Sequence, residues 1–111
     1  MSRRRTFERW HIPSTVVCIV KTMCADYYRR DVALKDVPPE VAECYRMMNG
    51  AIDRALEKVE PGIRRTMMED IATGRGYDFS PASAIVSRRP YYARKRQIIH
   101  DIAVEYRLIH D

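Results

Sequence analysis

The residues best suited to chemistry in this chain form a cationic cluster near its C-terminal end. These residues are Arg88, Arg89, Arg94, Lys95 and Arg96. No acidic residue interrupts the cluster before Asp101. Guanidinium groups bind phosphate oxygens and can read guanine through a bidentate contact. The pattern therefore predicts recognition of a polyanion, with double-stranded DNA as the leading candidate.

Apolar residues at helical spacing predict that a helix over about 88–109 carries this cluster. The members of the apolar stripe are Tyr91, Ile98, Ile102, Tyr106 and Ile109. Ser87 is expected to cap the helix through its hydroxyl, and Pro90 sits where its missing N–H does no harm. A helix with one buried stripe and a cationic leading end is typical of major-groove readers.

Helical spacing also assigns roles to the polar residues of this predicted helix. The side chains that point away from the stripe, and are expected to meet bases, are Arg88, Arg89, Tyr92 and Arg96. Arg94 and Lys95 lie on the flanks and are expected to contact phosphate while facing solvent. Two other interpretations stay open. The cluster could be a solvated face of an ordinary packing helix, or it could bind an acidic protein surface of a host factor such as RNA polymerase or a nuclease.

The distribution of charge supports a polyanionic partner more than its total does. The net charge is +5, yet residues 31–70 contain nine acids against six bases, so the excess positive charge lies at the two ends. At the N-terminus, residues 1–12 form a basic arm with Arg3, Arg4 and Arg5. This arm is expected either to contact phosphate or only to aid solubility.

The sequence does not predict an enzyme, a metal site or a cofactor. The three histidines are scattered, and no Cys or His stands at metal-ligand spacing. Asp53 and Glu57 lie one helical turn apart, which would permit a paired-carboxylate site, but no third catalytic group lies near them in sequence. The odd cysteine count and the lack of a signal peptide or membrane span predict a cytoplasmic protein with buried, reduced thiols.

The remaining pattern predicts an all-α fold, a compact bundle of four to five helices ending in a helix-turn-helix-like unit. Residues 13–111 form one domain, and the core is expected to contain Val20, Tyr45, Met48, Ile52, Ile98 and Ile102. The stripe of the second helix would also suit a coiled-coil seam in a homodimer, although it is short for one. The predicted helices cover about 14–30, 39–59, 62–73, a short 81–86, and 88–109.

The segment Ser87-Arg-Arg-Pro-Tyr-Tyr-Ala-Arg-Lys-Arg-Gln-Ile-Ile-His-Asp-Ile-Ala is similar to the closing segment of small phage-encoded regulators of the ArpU/RinA kind. The stretch from Val16 to Arg30 resembles the opening of these proteins. The resemblance implies an all-α fold related to the promoter-reading region of sigma factors. It also implies a phage or prophage transcription regulator that controls late genes by binding specific DNA.

Overall fold

A computed structural model describes residues 11–110, and these residues form helices and turns without any strand. The expected all-α class is confirmed. No helix within these residues is both long enough and apolar enough to cross a bilayer. The α-helices are α1 (Ser14–Ala25), α2 (Tyr27–Ala33), α3 (Pro39–Leu56), α4 (Arg64–Thr73) and α5 (Arg88–Glu105). Short 3₁₀ turns occur at Leu34–Asp36, Pro61–Ile63, Tyr77–Phe79 and Pro81–Ala84.

The core lies where α1 packs against α4 and α3 packs against α5, with α1 also contacting α5. Four of the six expected core residues are fully buried, namely Val20, Ile52, Ile98 and Ile102. The prediction is wrong for Tyr45 and Met48, which are only half-buried. The buried face of α3 is rotated away from them towards small residues, Ala42, Ala51 and Ala55. Alanines at these positions let neighbouring helices approach α3 closely.

The first predicted helix, about 14–30, is interrupted at Asp26, where the backbone leaves helical geometry. The interruption accompanies a buried cation. The guanidinium of Arg30, only 3% exposed, donates to Asn49 Oδ1 at 2.8 Å and to the carbonyl of Met23 at 2.5 Å. A buried charge is tolerated only when such partners replace water. The break at Asp26 thus separates α1 from a second helix that carries Arg30 into the interior.

The helix α3 ends at Leu56, three residues before the predicted limit at residue 59. Pro61 forces Glu60 into extended backbone, so the chain must leave the helix before that residue. Arg64 then donates to the carbonyls of Val59 and Glu57, at 2.9 and 3.1 Å. One side chain therefore satisfies two carbonyls near the end of α3.

The connection between α4 and α5 differs from the predicted short helix over 81–86. Gly74 ends α4 with φ +78°, as a left-handed C-cap. The following residues form two 3₁₀ turns, and the second of them, Pro81–Ala84, is capped by the Ser80 hydroxyl, which accepts from the Ala82 N–H at 3.1 Å. A 3₁₀ turn of four residues is not the first α-helix of a helix-turn-helix, so that detail of the prediction is wrong.

The last helix ends at Glu105, four residues before the predicted limit. Arg107 adopts a left-handed φ of 56°. The N–H of Leu108 then donates to the carbonyl of Ala103 at 2.8 Å, and that of Arg107 donates to Val104 at 2.9 Å. This pair of bonds is a Schellman motif built without glycine. It turns the chain so that Leu108 packs against the core.

The prediction of buried thiols is correct only for Cys24. Cys18 and Cys44 are exposed, because each lies to one side of the buried face of its helix, and all three thiols are free. Burial raises the pKa of Cys24 to about 12. That thiol is consequently unreactive at neutral pH.

We expect Ile52→Ala and Ile102→Ala each to lower the free energy of unfolding by about 2–5 kcal/mol, because both side chains are fully buried. Urea denaturation measures the change. Val32→Ala is the matched control, since Val32 is 69% exposed and its truncation should cost little. Core variants that unfold at the same urea concentration as the parent chain would contradict this packing.

Candidate nucleic-acid interface

Backbone hydrogen bonding, and not a side-chain cap, defines the start of α5. Ser87 has the extended backbone of an N-cap, but its hydroxyl makes no capping bond, so the expected side-chain cap is wrong. Its carbonyl instead accepts from the Tyr91 N–H at 3.1 Å. Pro90 falls in the first turn, where a missing N–H leaves no bond unmade. The helix therefore begins at Arg88, as the sequence indicates.

Tyr91 fixes this end of α5 to α4. Its ring is fully buried, and its hydroxyl donates to Asp70 Oδ2 at 2.7 Å. Asp70 is itself fully buried and accepts a second bond at Oδ1 from Arg75 Nε, at 2.5 Å. Burial and the neighbouring carboxylate both raise the pKa of Tyr91. The hydroxyl consequently stays protonated and remains a donor to Asp70.

Lys95 belongs to the same network and does not face solvent as expected. Its Nζ donates to the carbonyl of Arg75 at 2.7 Å and lies 5.5 Å from the centroid of the Tyr91 ring. The side chain is half-buried, and desolvation lowers its pKa. Lys95 thus holds the Arg75 loop against α5.

Arg94 is likewise turned towards the protein. Its guanidinium makes two bonds to the Glu60 carboxylate, at 2.7 and 3.0 Å. The hydrogen bonds from Arg94 lower the pKa of Glu60. Since Glu60 lies in the α3–α4 connection, this bidentate pair ties α5 to that connection, and only part of the Arg94 side chain is left to meet a ligand.

Arg88 is exposed but partly compensated. Its Nη2 lies 2.5 Å from Asp78 Oδ1, and its guanidinium lies 5.1 Å from the centroid of the Tyr77 ring. Both charged side chains remain more than half exposed, so solvent weakens the pair. A phosphate could compete with Asp78 for this guanidinium.

The outward face of the first half of α5 carries Arg89, Tyr92 and Arg96, all exposed. Arg89 has no ion-pair partner among the described residues. Tyr92 is held rigidly, because its hydroxyl accepts a hydrogen bond from the Tyr77 N–H at 3.1 Å. Its ring also packs edge-on against the Tyr91 ring, with 4.9 Å between the two centroids. The structure therefore brings together three of the expected base-contacting residues on one fixed surface. Arg3, Arg4 and Arg5, the expected phosphate contacts of the arm, lie outside the described residues.

Sequence reasoning missed two cations beside this surface. Lys21 of α1 and Arg75 of the loop lie close enough to Lys95 for their charges to lower its pKa. Arg75 stands between two glycines in the sequence, which is a weak signal for a loop cation held near a neighbouring helix. Nothing in the α1 pattern indicates Lys21.

Asp53 and Glu57, the residues of the possible paired-carboxylate site, have different surroundings in the structure. Asp53 accepts a hydrogen bond from the Tyr27 hydroxyl at 2.7 Å, so its carboxylate joins α2 to α3. Glu57 is exposed one turn later. Within residues 11–110, no group of three or more His, Cys, Asp or Glu side chains could hold a metal ion. His100 is buried next to Asp101, with 3.3 Å between Nδ1 and Oδ1.

No protein-family model, characterised protein or solved structure matches this chain. The geometry of α5 and its charges are therefore the basis for the function proposed below.

We expect Tyr91→Phe to lower the free energy of unfolding by about 1.5–3 kcal/mol, the usual range for losing a hydrogen bond to a charged group. The change removes one oxygen and leaves the buried Asp70 with one donor fewer. Thermal and urea denaturation measure the loss. Tyr45→Phe removes the same atom from a hydroxyl that only accepts long contacts from Arg29, at 3.4 and 3.5 Å, and should change little. Equal stability of the two variants would show that the Asp70 bond contributes nothing.

Proposed function

We propose that this chain is a sequence-specific DNA-binding transcription regulator of phage or prophage type that lays α5 in the major groove of double-stranded DNA. The observation that carries the proposal is the cationic outward face at the start of α5, with Arg89, Tyr92 and Arg96 exposed on a helix that Tyr91 anchors. A fixed helix of this kind presents donors to base edges from a backbone that is already ordered before binding.

The arrangement of the acids along α5 supports the proposal. The first acid of the helix, Asp101, pairs with Lys58 of α3 at 2.9 Å, and Glu105 pairs with Arg54. The acids in the second half of α5 are thus paired with bases of α3. The first half contains five bases and no acid, and only Arg88 and Arg94 among them form ion pairs described here, with Asp78 and Glu60. A phosphate backbone is the polyanion that such a segment suits.

The contacts of α5 refine the expected roles of its residues. Arg89 and Arg96 are the candidates for base or phosphate contact from the outward face. Arg88 can exchange Asp78 for a phosphate, while Arg94 and Lys95 chiefly hold the helix in place. The helix that precedes α5 is α4, and the longer connection between them replaces a tight turn, so the proposed docking relies on α5 and not on a complete helix-turn-helix.

The proposed partner is double-stranded DNA, with RNA polymerase as a second partner if the regulator acts at promoters. A cytoplasmic location follows from that partner. The competing interpretation is a phage-type module that binds an acidic surface of a host protein through the same helix. Salt dependence separates the two, because each neutralised phosphate contributes about −0.9 to the slope of log affinity against log salt.

We expect Arg89→Ala to weaken binding to duplex DNA, reduce the magnitude of the salt slope by about one, and relax base preference by about 1–3 kcal/mol at one position. Fluorescence anisotropy at several salt concentrations gives the slope. Selection from a random duplex library, with each variant in turn, gives the base preference.

Arg46→Ala is the matched control for Arg89→Ala. It removes the same charge from an exposed position of α3, where Arg46 pairs only with Glu43 at 3.4 Å. If the two variants bind every duplex like the parent chain, and Arg89→Ala alone loses a host protein in a pull-down, the protein-binding interpretation replaces this one.

Deleting residues 1–5 should weaken binding to selected and random duplexes by the same factor, because phosphate contacts from arginine carry no base information. Anisotropy titration with the two duplexes measures both factors. A loss confined to the selected duplex would instead assign the arm to minor-groove reading, and no loss at all would leave it a solubilising segment.

A further inference from the structure

Phe79 is the most exposed large apolar side chain in the described residues, with 82% of its surface open to solvent. It lies in the 3₁₀ turn Tyr77–Phe79, which the turn Pro81–Ala84 separates from the start of α5 in the sequence. Burying a phenylalanine is ordinarily favourable by about 1.5–3 kcal/mol, and this position forgoes that gain. The exposed ring is therefore free to contact a ligand.

The backbone around Phe79 fixes the ring outside the core. Ser80, the next residue, is buried at 3% exposure, and its N–H donates to the Tyr77 carbonyl at 3.1 Å. The Tyr77 hydroxyl donates to the carbonyl of Val86 at 2.9 Å, and the Tyr77 N–H donates to the Tyr92 hydroxyl. Phe79 is thus exposed because its neighbours are anchored on both sides.

The same turn places Phe79 next to the cationic start of α5. Asp78, its neighbour in sequence, pairs with Arg88, whose guanidinium also covers the Tyr77 ring. One short segment therefore joins an exposed aromatic face to the arginines proposed to contact DNA. Aromatic rings beside cationic grooves bind nucleic acid by stacking on bases.

The surroundings of the ring favour a base over a lipid surface or a protein. Asp78, the residue before Phe79, and its partner Arg88 are both more than half exposed, and Ser80, the residue after Phe79, is buried. Ile85, the other large apolar side chain exposed on this connection, belongs to a different turn and lies next to Gly62 of the α3–α4 connection. A single ring among polar groups matches the face of one nucleobase, whereas bilayers and protein partners need wider apolar area.

We propose that Phe79 is a stacking site for one unpaired nucleobase. The inference rests on the proposed nucleic-acid function and adds the class of ligand. In the interior of a duplex both faces of every base are covered by neighbouring pairs, so there the ring has access only where a base is unpaired. With α5 on duplex phosphates, the expected ligand is a duplex that adjoins a single-stranded segment.

The test compares three fluorescent DNA probes of one sequence: a blunt duplex, the same duplex with a single-stranded overhang, and the free single strand. The overhang and the free strand carry 2-aminopurine, whose emission is quenched when it stacks. The parent chain should bind the overhang duplex about ten-fold more tightly than the blunt duplex, a factor typical of one stacked base, and should change the 2-aminopurine emission. A free strand that binds best of all would assign the same stacking site to single-stranded ligands.

Substitution of Phe79 tests the role of the ring. Phe79→Ala and Phe79→Leu should lose the preference for the overhang, while Phe79→Trp should keep it, because stacking needs an aromatic face. All three should leave blunt-duplex binding unchanged. Ile85→Ala is the matched control, since it trims an exposed apolar side chain without a ring, and it should behave like the parent chain.

Several outcomes would overturn the inference. Equal overhang binding by Phe79→Leu and the parent chain would exclude stacking. Binding to phosphatidylserine vesicles that needs both Phe79 and Ile85, with no effect on DNA, would assign the site to membranes. If the blunt duplex is bound and responds to Arg89→Ala but Phe79 variants match the parent on every probe, only this inference fails. If none of the three probes is bound, the proposed function fails with it.

Discussion

The buried carboxylate of Asp70 is the constraint on which the candidate surface depends. A charge fully removed from water is tolerated only when its hydrogen bonds are restored inside the protein. Two donors meet it, the hydroxyl of Tyr91 from α5 and the guanidinium of Arg75 from the loop after α4. Lys95 then holds the carbonyl of the same Arg75. Satisfying one carboxylate thus sets where α5 begins relative to α4.

The sequence predicts which segments are helical better than where they end. Apolar spacing identifies α3, α4 and α5 as helices, because periodicity along one helix is a local signal. The break at Asp26 accompanies a contact that is not local, in which Arg30 donates to Asn49, 19 residues away along the chain. The end of α5 was missed for another reason: Arg107 occupies a left-handed position that usually requires glycine.

In the candidate site, too, some features follow from local sequence and others depend on residues far away along the chain. Exposure of Arg89, Tyr92 and Arg96 follows from helical geometry alone, so periodicity is enough to predict it. Arg94 and Lys95 have similar sequence surroundings, but their partners are Glu60 and the Arg75 carbonyl, 34 and 20 residues away. Spacing along one helix cannot separate a cation available to a ligand from one taken up by a distant segment. Phe79 lacks a sequence signal because its exposure comes from the bonds of its neighbours.

Arg88 and Arg89 occupy positions in α5 that are electrostatically unfavourable for positive charge. Both lie in the first turn of α5, where the helix dipole disfavours positive charge, and that turn contains no acid. Replacing Arg89 by glutamate would be expected to stabilise the helix by about 0.3–1 kcal/mol, whereas the same change at Arg88 would set a second carboxylate beside Asp78. Selection for thermal stability alone would therefore favour the loss of Arg89, one of the residues proposed to contact DNA.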